Sequence, residues 1–361
     1  MADRLAIIGF PFSGKTTVLQ AACGIGREHL HAGGESGEHI GTLKHEHDPR
    51  LLRLAEIYES RKLTPLTLEL WDFPGFDLTT EPGRQHARRL LAEVRQCDLL
   101  VIVLRAFENP SVPQYRDRID PAADLDELME EFVFADMDQL SRRIEKLEQQ
   151  QKKPSPTREQ EKKEIALLKR CLEALEAGQG LHEVVHGAEE DKMLRSFALL
   201  TQRPCVVIIN VDENRLGQEF ALKPHPMVRS SLVCAVEYER QLQELSDEDR
   251  EVFLSEAGIT ELLADRLAEA AMSAMGRIRF YTAGDNEARA WPLGAGISAV
   301  EAAGKIHSDI ARGFIRAETI AYADIDALGA VKEARSAGKL RLEGKDYVIK
   351  DGDVIFFRFN I

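Results

Sequence analysis

The feature that most constrains this chain is a glycine-rich segment close to its start. Residues 9–16 read Gly-Phe-Pro-Phe-Ser-Gly-Lys-Thr and fit the pattern Gly-x-x-x-x-Gly-Lys-Ser/Thr, directly after the apolar run at residues 5–8. A strand that runs into such a turn lets successive backbone N–H groups point at phosphate oxygens, and the helix that follows adds the positive end of its dipole. The alternative is a plain glycine turn before a buried helix. The strand context favours a phosphate-binding loop, or P-loop.

The P-loop pattern assigns roles to individual residues. Lys15 is expected to reach the β- and γ-phosphates of a nucleotide and to neutralise charge during phosphoryl transfer. The Thr16 hydroxyl is expected to ligate Mg²⁺. The predicted nucleotide contacts in and after the loop are Phe12, Ser13, Gly14, Lys15, Thr16 and Thr17.

A second motif supplies a phosphate-sensing loop. The alternating run at residues 66–71 predicts a strand, and it leads into Asp-Phe-Pro-Gly at residues 72–75, an Asp-x-x-Gly element. Asp72, at the carboxyl end of a strand, can bind Mg²⁺ or its water ligands. The Gly75 N–H can donate a hydrogen bond to the γ-phosphate, so the loop can respond to the loss of that phosphate. Alone, Asp and Gly after a strand usually make a turn. Together with the P-loop they predict a nucleotide switch, in which Gly75 joins Lys15 as a catalytic residue.

The base-reading part of such a switch is expected further along. Apolar runs at residues 99–104 and 205–209 predict buried strands of a parallel sheet. The second run leads into Asn-Val-Asp-Glu at residues 210–213, an Asn-x-x-Glu element in the place where guanine-specific switches carry Asn-Lys-x-Asp. Loss of the guanine-reading Asp favours ATP over GTP, although Asp212 lies one residue early and could take the same role. The predicted contacts to the base are Asn210, Glu213 and the backbone N–H groups of Cys234 and Ala235.

Composition excludes several partners. The 361 residues carry a formal net charge of −14, so we expect no DNA partner, and any contact with RNA must come from a local patch. Five scattered cysteines without zinc spacing are typical of free thiols in a reducing cytosol. The first residues lack the pattern of a signal peptide, and no apolar run approaches the roughly 20 residues that span a bilayer. We therefore expect a cytoplasmic protein with no membrane partner.

The remaining regions differ in character from the nucleotide-binding part. Within residues 123–195, apolar residues recur at helical spacing on both sides of a Pro-Ser-Pro sequence, which predicts two helices packed as an antiparallel, coiled-coil hairpin. From residue 277 to the end, short aromatic and β-branched runs around one helical stretch predict a small β-rich domain. The P-loop domain is then discontinuous and comprises residues 1–122 and 196–276.

Nearly end to end, the chain resembles the YchF subfamily of Obg-like ATPases. The segments that carry the resemblance, besides the motifs above, are residues 48–51, 105–109, 313–318, 338–348 and 357–361. The resemblance implies an α/β fold, in which a Rossmann-like P-loop G domain is interrupted by a coiled-coil arm and followed by a TGS domain, a ubiquitin-like β-grasp at residues 277–361. It also implies a preference for ATP, slow hydrolysis, and association with the ribosome or ribosomal RNA.

The phosphate end departs from the family pattern. The family has Asn in the P-loop where Phe12 stands, and a threonine-bearing first switch where residues 33–39 read Gly-Gly-Glu-Ser-Gly-Glu-His. Ser36 is the nearest hydroxyl in that segment. The apolar Phe76, which follows the Asp-x-x-Gly element, matches the family and offers no base for the attacking water. The predicted metal ligands are therefore Thr16, Ser36 and Asp72.

Two functions of different class remain open. The first is a switch that binds ATP, with GTP as the lesser candidate, uses Mg²⁺ as cofactor, hydrolyses the nucleotide slowly to ADP and phosphate, and acts on the ribosome or ribosomal RNA. The second is a catalytically impaired, ATP- or GTP-dependent binding module for the ribosome. A small-molecule kinase is a third option, against which the Asp-x-x-Gly and Asn-x-x-Glu elements argue.

Overall fold

The computed structural model describes residues 3–24, 39–151 and 157–360. The chain divides into two compact units. Unit 1 comprises mainly residues 3–41 and 69–260, and unit 2 mainly residues 42–68 and 261–361. The domain boundaries drawn from the sequence stay a prediction, and this division places residues 42–68 with the C-terminal part of the chain.

The strands of the two units alternate with helices along much of the chain. The strands are β1 (Arg4–Ile8), β2 (His39–His45), β3 (Leu63–Thr64), β4 (Leu66–Asp72), β5 (Leu99–Arg105), β6 (Cys205–Asn210), β7 (Val228–Cys234), β8 (Arg277–Ala283), β9 (Ala288–Gly294), β10 (Phe314–Ala321), β11 (Arg341–Glu343) and β12 (Asp353–Phe359).

Helices make up the rest of the regular structure. They are α1 (Lys15–Cys23), α2 (Pro49–Ile57), α3 (Glu81–Val94), α4 (Pro121–Gln150), α5 (Arg158–Glu176), α6 (Gly187–Arg195), α7 (Val236–Leu242), α8 (Asp247–Glu256), α9 (Leu263–Ala274), α10 (Ala299–Ile306), α11 (Ser308–Arg312), α12 (Tyr322–Leu328) and α13 (Val331–Ser336). Short 3₁₀ turns lie at Tyr115–Asp117, Leu181–Glu183, Leu200–Gln202 and Glu213–Arg215. No helix in the described ranges is long and apolar enough to cross a membrane.

The sheet that carries the predicted motifs has the strand order β2-β4-β1-β5-β6-β7. β1 pairs in parallel with β4 and β5, and β6 pairs in parallel with β5 and β7. Every residue of β5 and β6 is buried, as expected for central strands of a parallel sheet that is covered on both faces. The chain leaves β1, β4 and β6 at the same edge of the sheet, so the P-loop, Asp72 and Asn210 meet there.

Two long helices of unit 1 form the predicted helical insertion. α4 begins at Pro121, and the Asp120 side chain caps it by accepting a hydrogen bond from the Ala123 N–H at 3.0 Å. α4 and α5 pack against each other. The apolar residues buried along the two helices include Leu140, Ile144, Leu147, Ile165, Leu168, Cys171 and Leu175. Their helical spacing is the signal that the sequence shows, and the prediction of a helical arm is confirmed.

Unit 2 contains a second sheet, in the order β11-β10-β12-β8-β9-β3. β8 and β9 are antiparallel, as are β10 and its two neighbours, whereas β12 pairs with β8, and β3 with β9, in parallel. α10 buries Ala299, Ala302 and Ala303 in a core that also contains Phe280 and Leu293. Alanines let the helix approach the sheet closely, and one helix packed on a mixed sheet is the arrangement predicted for a β-grasp domain.

The Asp48 carboxylate holds α2 in unit 2. It accepts a hydrogen bond from the Arg50 N–H at the start of the helix, and its second oxygen accepts one from the Tyr281 hydroxyl at 2.8 Å and one from Arg279 at 3.3 Å. Arg279 also makes a bidentate pair with Glu269 at 2.7 Å. Each buried charge therefore has a partner of opposite sign. The Asp-Pro-Arg-Leu motif is explained by this structural role.

The cysteines are free thiols, as expected. Cys97, Cys171, Cys205 and Cys234 are buried, and Cys23 is partly exposed. Burial raises the pKa of Cys23 and of Cys97 to about 12, and that of Cys171 to about 11. Neutral thiols of this kind behave as small apolar side chains.

Candidate functional site

The P-loop makes a tight turn between β1 and α1. Gly14 has a φ of 96° and is the residue that precedes the helix, so the turn needs the left-handed backbone conformation that glycine adopts easily. A Cβ at Gly14 would overlap the side-chain amide of Asn210. Two separate reasons therefore require glycine at position 14. One is its backbone φ angle, and the other is the close approach of the Asn210 side chain at the end of β6.

Lys15 is a buried cation at the centre of the loop. Its side chain is only 7% exposed, and its ammonium donates a hydrogen bond to the Phe10 carbonyl at 3.0 Å. Burial lowers the pKa of Lys15 to about 8, and the negative charge of Asp72 opposes this shift. A buried ammonium with so few acceptors gains stabilisation from any anion that enters the loop.

Thr16 and Asp72 bring together oxygen atoms that suit Mg²⁺. The Thr16 hydroxyl donates to Asp72 Oδ2 at 2.6 Å, and His39 Nδ1 lies 3.7 Å from the same oxygen. Asp72 Oδ1 is buried and has no hydrogen-bond partner among the described residues. Burial raises the pKa of Asp72, while Thr16 and Lys15 oppose the shift. A carboxylate oxygen left unpaired beside a hydroxyl fits a hard divalent cation.

The described part of the chain contains no group of three or more His, Cys, Asp or Glu side chains that could hold a metal ion by themselves. Mg²⁺ commonly binds one or two protein ligands together with phosphate oxygens and water. Ser36, the third predicted ligand, lies outside the described residues.

The Asp-x-x-Gly loop lies directly against the P-loop. The Phe76 N–H donates to the Gly9 carbonyl at 3.1 Å, and the Phe73 N–H donates to the Ile7 carbonyl at the same distance. A Cβ at Gly75 would come within 2.8 Å of the Pro11 backbone. Because this contact leaves no room for a side chain, only glycine at this position lets the two loops lie so close together.

A cavity of about 1160 Å³ opens beside the P-loop at the same edge of the sheet. This volume is ample for a nucleotide. The predicted site residues that line it are Gly14, Thr17, Asn210, Glu213 and Ala235. Gly14 of the P-loop and the predicted base-reading residues, which are far apart in the sequence, therefore line one cavity. The predicted phosphate and metal residues Ser13, Lys15, Thr16, Asp72 and Gly75 do not line it.

Asn210 ties the end of β6 to the P-loop. Its amide nitrogen donates to the Ser13 carbonyl at 3.1 Å, and its amide oxygen accepts from the Val236 N–H at 3.4 Å. Asp212, the alternative reader of the base, accepts a hydrogen bond from the Glu108 N–H at 2.9 Å. One oxygen of its carboxylate is thereby engaged, and both Asp212 and Glu213 line the cavity.

The other predicted contacts have different surroundings. Cys234 is fully buried, and its carbonyl accepts from the Val211 N–H at 2.9 Å. Phe12 is 56% exposed and has a φ of 62°, which is uncommon outside glycine. Neither residue lines the cavity. Ser13 does not line the cavity either; it is buried, and its hydroxyl has no hydrogen-bond partner among the described residues.

Sequence reasoning missed several residues of the cavity. Phe107, Arg215 and Tyr238 line it, yet no motif named them as contacts. The Arg215 guanidinium donates to the Ala106 carbonyl at 2.5 Å and so joins the loops after β5 and β6. Their positions in the sequence could have indicated them. Each of the three residues follows the carboxyl end of a parallel strand, where ligands bind in such sheets.

An aromatic contact connects the P-loop with the arm. The rings of Phe10 and Tyr115 stack with their centres 3.9 Å apart and their planes 9° from parallel. The Tyr115 hydroxyl donates to Glu127 of α4 at 3.0 Å. Arg116, which follows, has a φ of 51° and also binds Glu127. A positive φ at a residue other than glycine is strained, and it persists only where the surrounding contacts fix the backbone.

We expect nucleotide binding to take up a proton at alkaline pH. The pKa of Lys15 in the free protein is lowered to about 8, whereas a phosphate beside the ammonium favours the charged form. At about pH 9 most free molecules must therefore gain a proton as they bind, and affinity should fall by up to about tenfold per pH unit. Calorimetric titrations in two buffers of different ionisation enthalpy measure this uptake. The control is the same pair of titrations near pH 7, and buffer-independent heats at pH 9 would contradict the assignment.

The P-loop on a parallel strand, the Asp-x-x-Gly loop packed on it and the asparagine of β6 define the class of P-loop NTPases. Over all of its length the chain is 34% identical to proteins named ribosome-binding ATPase YchF from Bacillus subtilis and Escherichia coli O157:H7, each of which is covered completely. It is also 31% identical to Obg-like ATPase 1 of Oryza sativa, over 87% of this chain and 81% of that protein. The chain belongs to the YchF family.

Two further comparisons agree with this assignment. Residues 277–360 match the family model YchF-GTPase_C, described as a protein of unknown function. The structure of the Schizosaccharomyces pombe YchF GTPase superimposes with a TM-score of 0.81 at 23% identity, covering 99% of this chain and 97% of that one. At this identity the match shows the fold, and it confirms the prediction of a G domain with a helical arm and a C-terminal TGS domain.

Proposed function

We propose that the chain is a nucleotide-dependent switch that binds ATP with Mg²⁺, hydrolyses it slowly and acts on the ribosome in the cytoplasm. The names of the bacterial relatives support both the nucleotide and the ribosome. The observation that carries the proposal is the buried Lys15 ammonium next to an Asp72 carboxylate with one unpaired oxygen. Both charges gain partners when a phosphate and a divalent cation bind.

Each residue of the site has a separate role in nucleotide binding and hydrolysis. Lys15 neutralises charge on the β- and γ-phosphates, and the backbone N–H groups of the P-loop stabilise the charge that builds up during transfer. Thr16 and Asp72 would hold Mg²⁺, which would supply positive charge to neutralise the phosphates during transfer. Gly75 presents its N–H to the γ-phosphate and so makes the loop sensitive to hydrolysis.

Slow turnover is expected from the residue that follows the Asp-x-x-Gly element. Phe76 follows the Asp-x-x-Gly element, and its side chain is fully buried. A switch with a glutamine at this position can orient the attacking water, and a phenyl ring cannot. We propose that the loops alone support a low basal rate, which a bound ribosome could raise.

Base preference is tested by titrating ATP and GTP side by side. We expect tighter binding of ATP, because Glu213 replaces the aspartate that pairs with guanine. The change Glu213→Asp should move the GTP/ATP affinity ratio toward GTP by about tenfold, the worth of one good polar contact. Glu219→Asp makes the same change at an exposed residue outside the cavity and should leave the ratio unaltered. A wild-type preference for GTP would refute this part of the proposal.

Hydrolysis is tested separately by single-turnover assays with and without ribosomes. Formation of ADP and phosphate above the uncatalysed rate in either condition supports the switch. If neither condition yields product while ATP still binds, the chain is the alternative, an ATP-dependent binding module. The exposed Phe12 and the buried Phe76 are the observations that favour that alternative.

A further inference from the structure

A second cleft in unit 1 lies where the start of the helical arm meets the rest of the unit. Its volume is about 400 Å³, which is within the range of natural ligand sites. Three segments supply most of its lining: α4 near its start, the end of α5 with the turn that follows, and residues 223–227 before β7. We call it the arm cleft. No residue of the predicted nucleotide site lines it, so a ligand bound here would be separate from the nucleotide.

The floor of the arm cleft is apolar. Met129 and Met227 belong to the core that includes β5 and β6, whereas Leu175 and Leu181 belong to the core of the arm. All four residues are at most 5% exposed. The cleft therefore lies where the two cores meet, and packing within those cores fixes its floor. The two methionine side chains are flexible and can adapt to the shape of an apolar group that enters.

The rim of the arm cleft is open to solvent and carries an aromatic ring. Phe134 of α4 lines the cleft and is 62% exposed, more than any other large apolar residue in the described ranges. Glu130, Glu176 and Lys223 on the rim are exposed as well. A site for a free small molecule normally encloses most of its ligand. The open rim therefore favours side chains of a protein segment, which stay attached to a backbone outside the cleft.

The charges around the arm cleft are mainly negative. Lys223 is the one cation of the lining, and it pairs with Asp126. Neither Glu130 nor Glu176 forms a salt bridge with a described residue. Burial lowers the pKa of His225, so this side chain is neutral at pH 7 and adds no positive charge. Two carboxylates are thus left without a cation, and they are available to a partner that brings its own.

The end of α5 adds to the negative potential of the arm cleft. This helix spans 19 residues, and its last residues line the cleft. A helix carries partial negative charge at its carboxyl end, where basic side chains are favourable and acidic ones are not. The last turn of α5 contains no basic residue and ends in Glu176. A cationic side chain from a partner would therefore be stabilised both by Glu176 and by the end of the helix.

We propose that the arm cleft binds a basic, extended segment of a protein partner. An apolar side chain of the segment enters the cleft beside Phe134, and arginine or lysine side chains pair with Glu130 and Glu176. The lining residues of α4 run from Asp126 to Phe134, about 12 Å along the helix axis. That distance corresponds to about four residues of extended chain. The inference goes beyond the proposed function, because no residue of the nucleotide site takes part in it.

The test is a fluorescence anisotropy titration of the full chain with a dye-labelled peptide of about eight residues, long enough to extend past both ends of the cleft. In this peptide leucine and tryptophan alternate with arginine. A second peptide with glutamate in place of arginine, and a third with serine in place of the apolar residues, should each bind at least about tenfold more weakly. Phe134→Ala should weaken binding of the arginine peptide about fivefold, because the ring covers the apolar group that enters.

An exchange of charge gives the sharpest comparison. The double change Glu130→Lys and Glu176→Lys should weaken binding of the arginine peptide by more than about tenfold and make the glutamate peptide the better ligand. Both positions are exposed, and a lysine in the last turn of α5 is favourable for the helix, so the variant should fold. An ATP affinity equal to that of the wild type shows that unit 1 is intact in each variant.

Matched controls are Phe253→Ala and the double change Glu145→Lys and Glu251→Lys, at exposed positions of unit 1 outside the cleft. They should bind the arginine peptide as the wild type does. The proposal is overturned if the wild type does not bind that peptide, if it binds the glutamate peptide equally well, or if the controls weaken binding as much as the cleft variants do. Displacement of the peptide by an equal concentration of tryptamine would assign the cleft to a small organic cation. Self-association of the wild type that Phe134→Ala abolishes in sedimentation would assign it to a second copy of the chain, and either result overturns the proposal.

Discussion

Replacement of Lys15 by alanine is expected to weaken ATP binding by more than about a hundredfold. The ammonium is buried at the centre of the P-loop, and in the free protein it reaches the Phe10 carbonyl at 3.0 Å. Contacts between a buried ammonium and phosphate oxygens are charge-assisted and shielded from water, and their loss costs about 3 kcal/mol or more. Calorimetric titration with ATP and Mg²⁺ measures the effect.

Unfolding cannot account for such a loss in the Lys15→Ala variant. Burial lowers the pKa of Lys15 to about 8 in the folded protein, below its usual value of 10.5. Below about pH 8 the folded protein must bury a charged ammonium, which lowers the free energy of unfolding. This cost decreases as the pH rises from 8 toward 10.5, because Lys15 is then neutral in the folded protein. Removing the ammonium at neutral pH should leave the protein at least as stable as before. The control variant is Lys146→Ala, at an exposed position of the arm. An unchanged affinity for ATP in Lys15→Ala would refute the assigned site.

Replacement of Asp136 by alanine is expected to lower the free energy of unfolding of unit 1 by about 3–5 kcal/mol. The carboxylate is completely buried and pairs with Arg95 at 2.5 Å. It also accepts hydrogen bonds from the Leu200 N–H at 3.1 Å and from both the N–H and the hydroxyl of Thr201, at 2.8 and 2.7 Å. The alanine variant leaves a largely buried guanidinium and several N–H groups without their acceptor.

Urea denaturation followed by tryptophan fluorescence can report on unit 1 alone. The chain has two tryptophans, Trp71 in unit 1 and Trp291 in unit 2, so the comparison is made in a Trp291→Phe background. Asp138→Ala removes the same side chain two positions along α4, where it makes an exposed pair with Arg142, and should cost less than about 1 kcal/mol. Equal midpoints for Asp136→Ala and Asp138→Ala would contradict the role given to Asp136.

Local patterns carried most of the fold prediction. The P-loop, the Asp-x-x-Gly loop and the Asn-x-x-Glu element each lie where a buried strand ends, so a short stretch of sequence was enough to place them at one edge of a parallel sheet. The helical arm was equally visible, because apolar residues such as Leu140 and Ile144 recur at helical spacing and lie buried between its helices.

Contacts between distant parts of the chain could not be read in the same way. Nothing near Asn210 indicates that its amide binds the Ser13 carbonyl, or that Asp212 is engaged by the Glu108 N–H. The grouping of residues 42–68 with unit 2 depends on pairs such as Asp48 with Tyr281, which are separated by more than two hundred residues. Such pairings are set by tertiary packing, which a local pattern does not encode.

The state of the thiols has a practical consequence. Cys97, Cys171 and Cys205 are buried with raised pKa values, and Cys23 shares the raised pKa although it is partly exposed. Because alkylating reagents attack the thiolate, these positions should react slowly at neutral pH. A cysteine introduced at the exposed Lys146 would therefore accept a dye in preference to the natural ones. The native chain already suits site-specific labelling, without prior removal of its own cysteines.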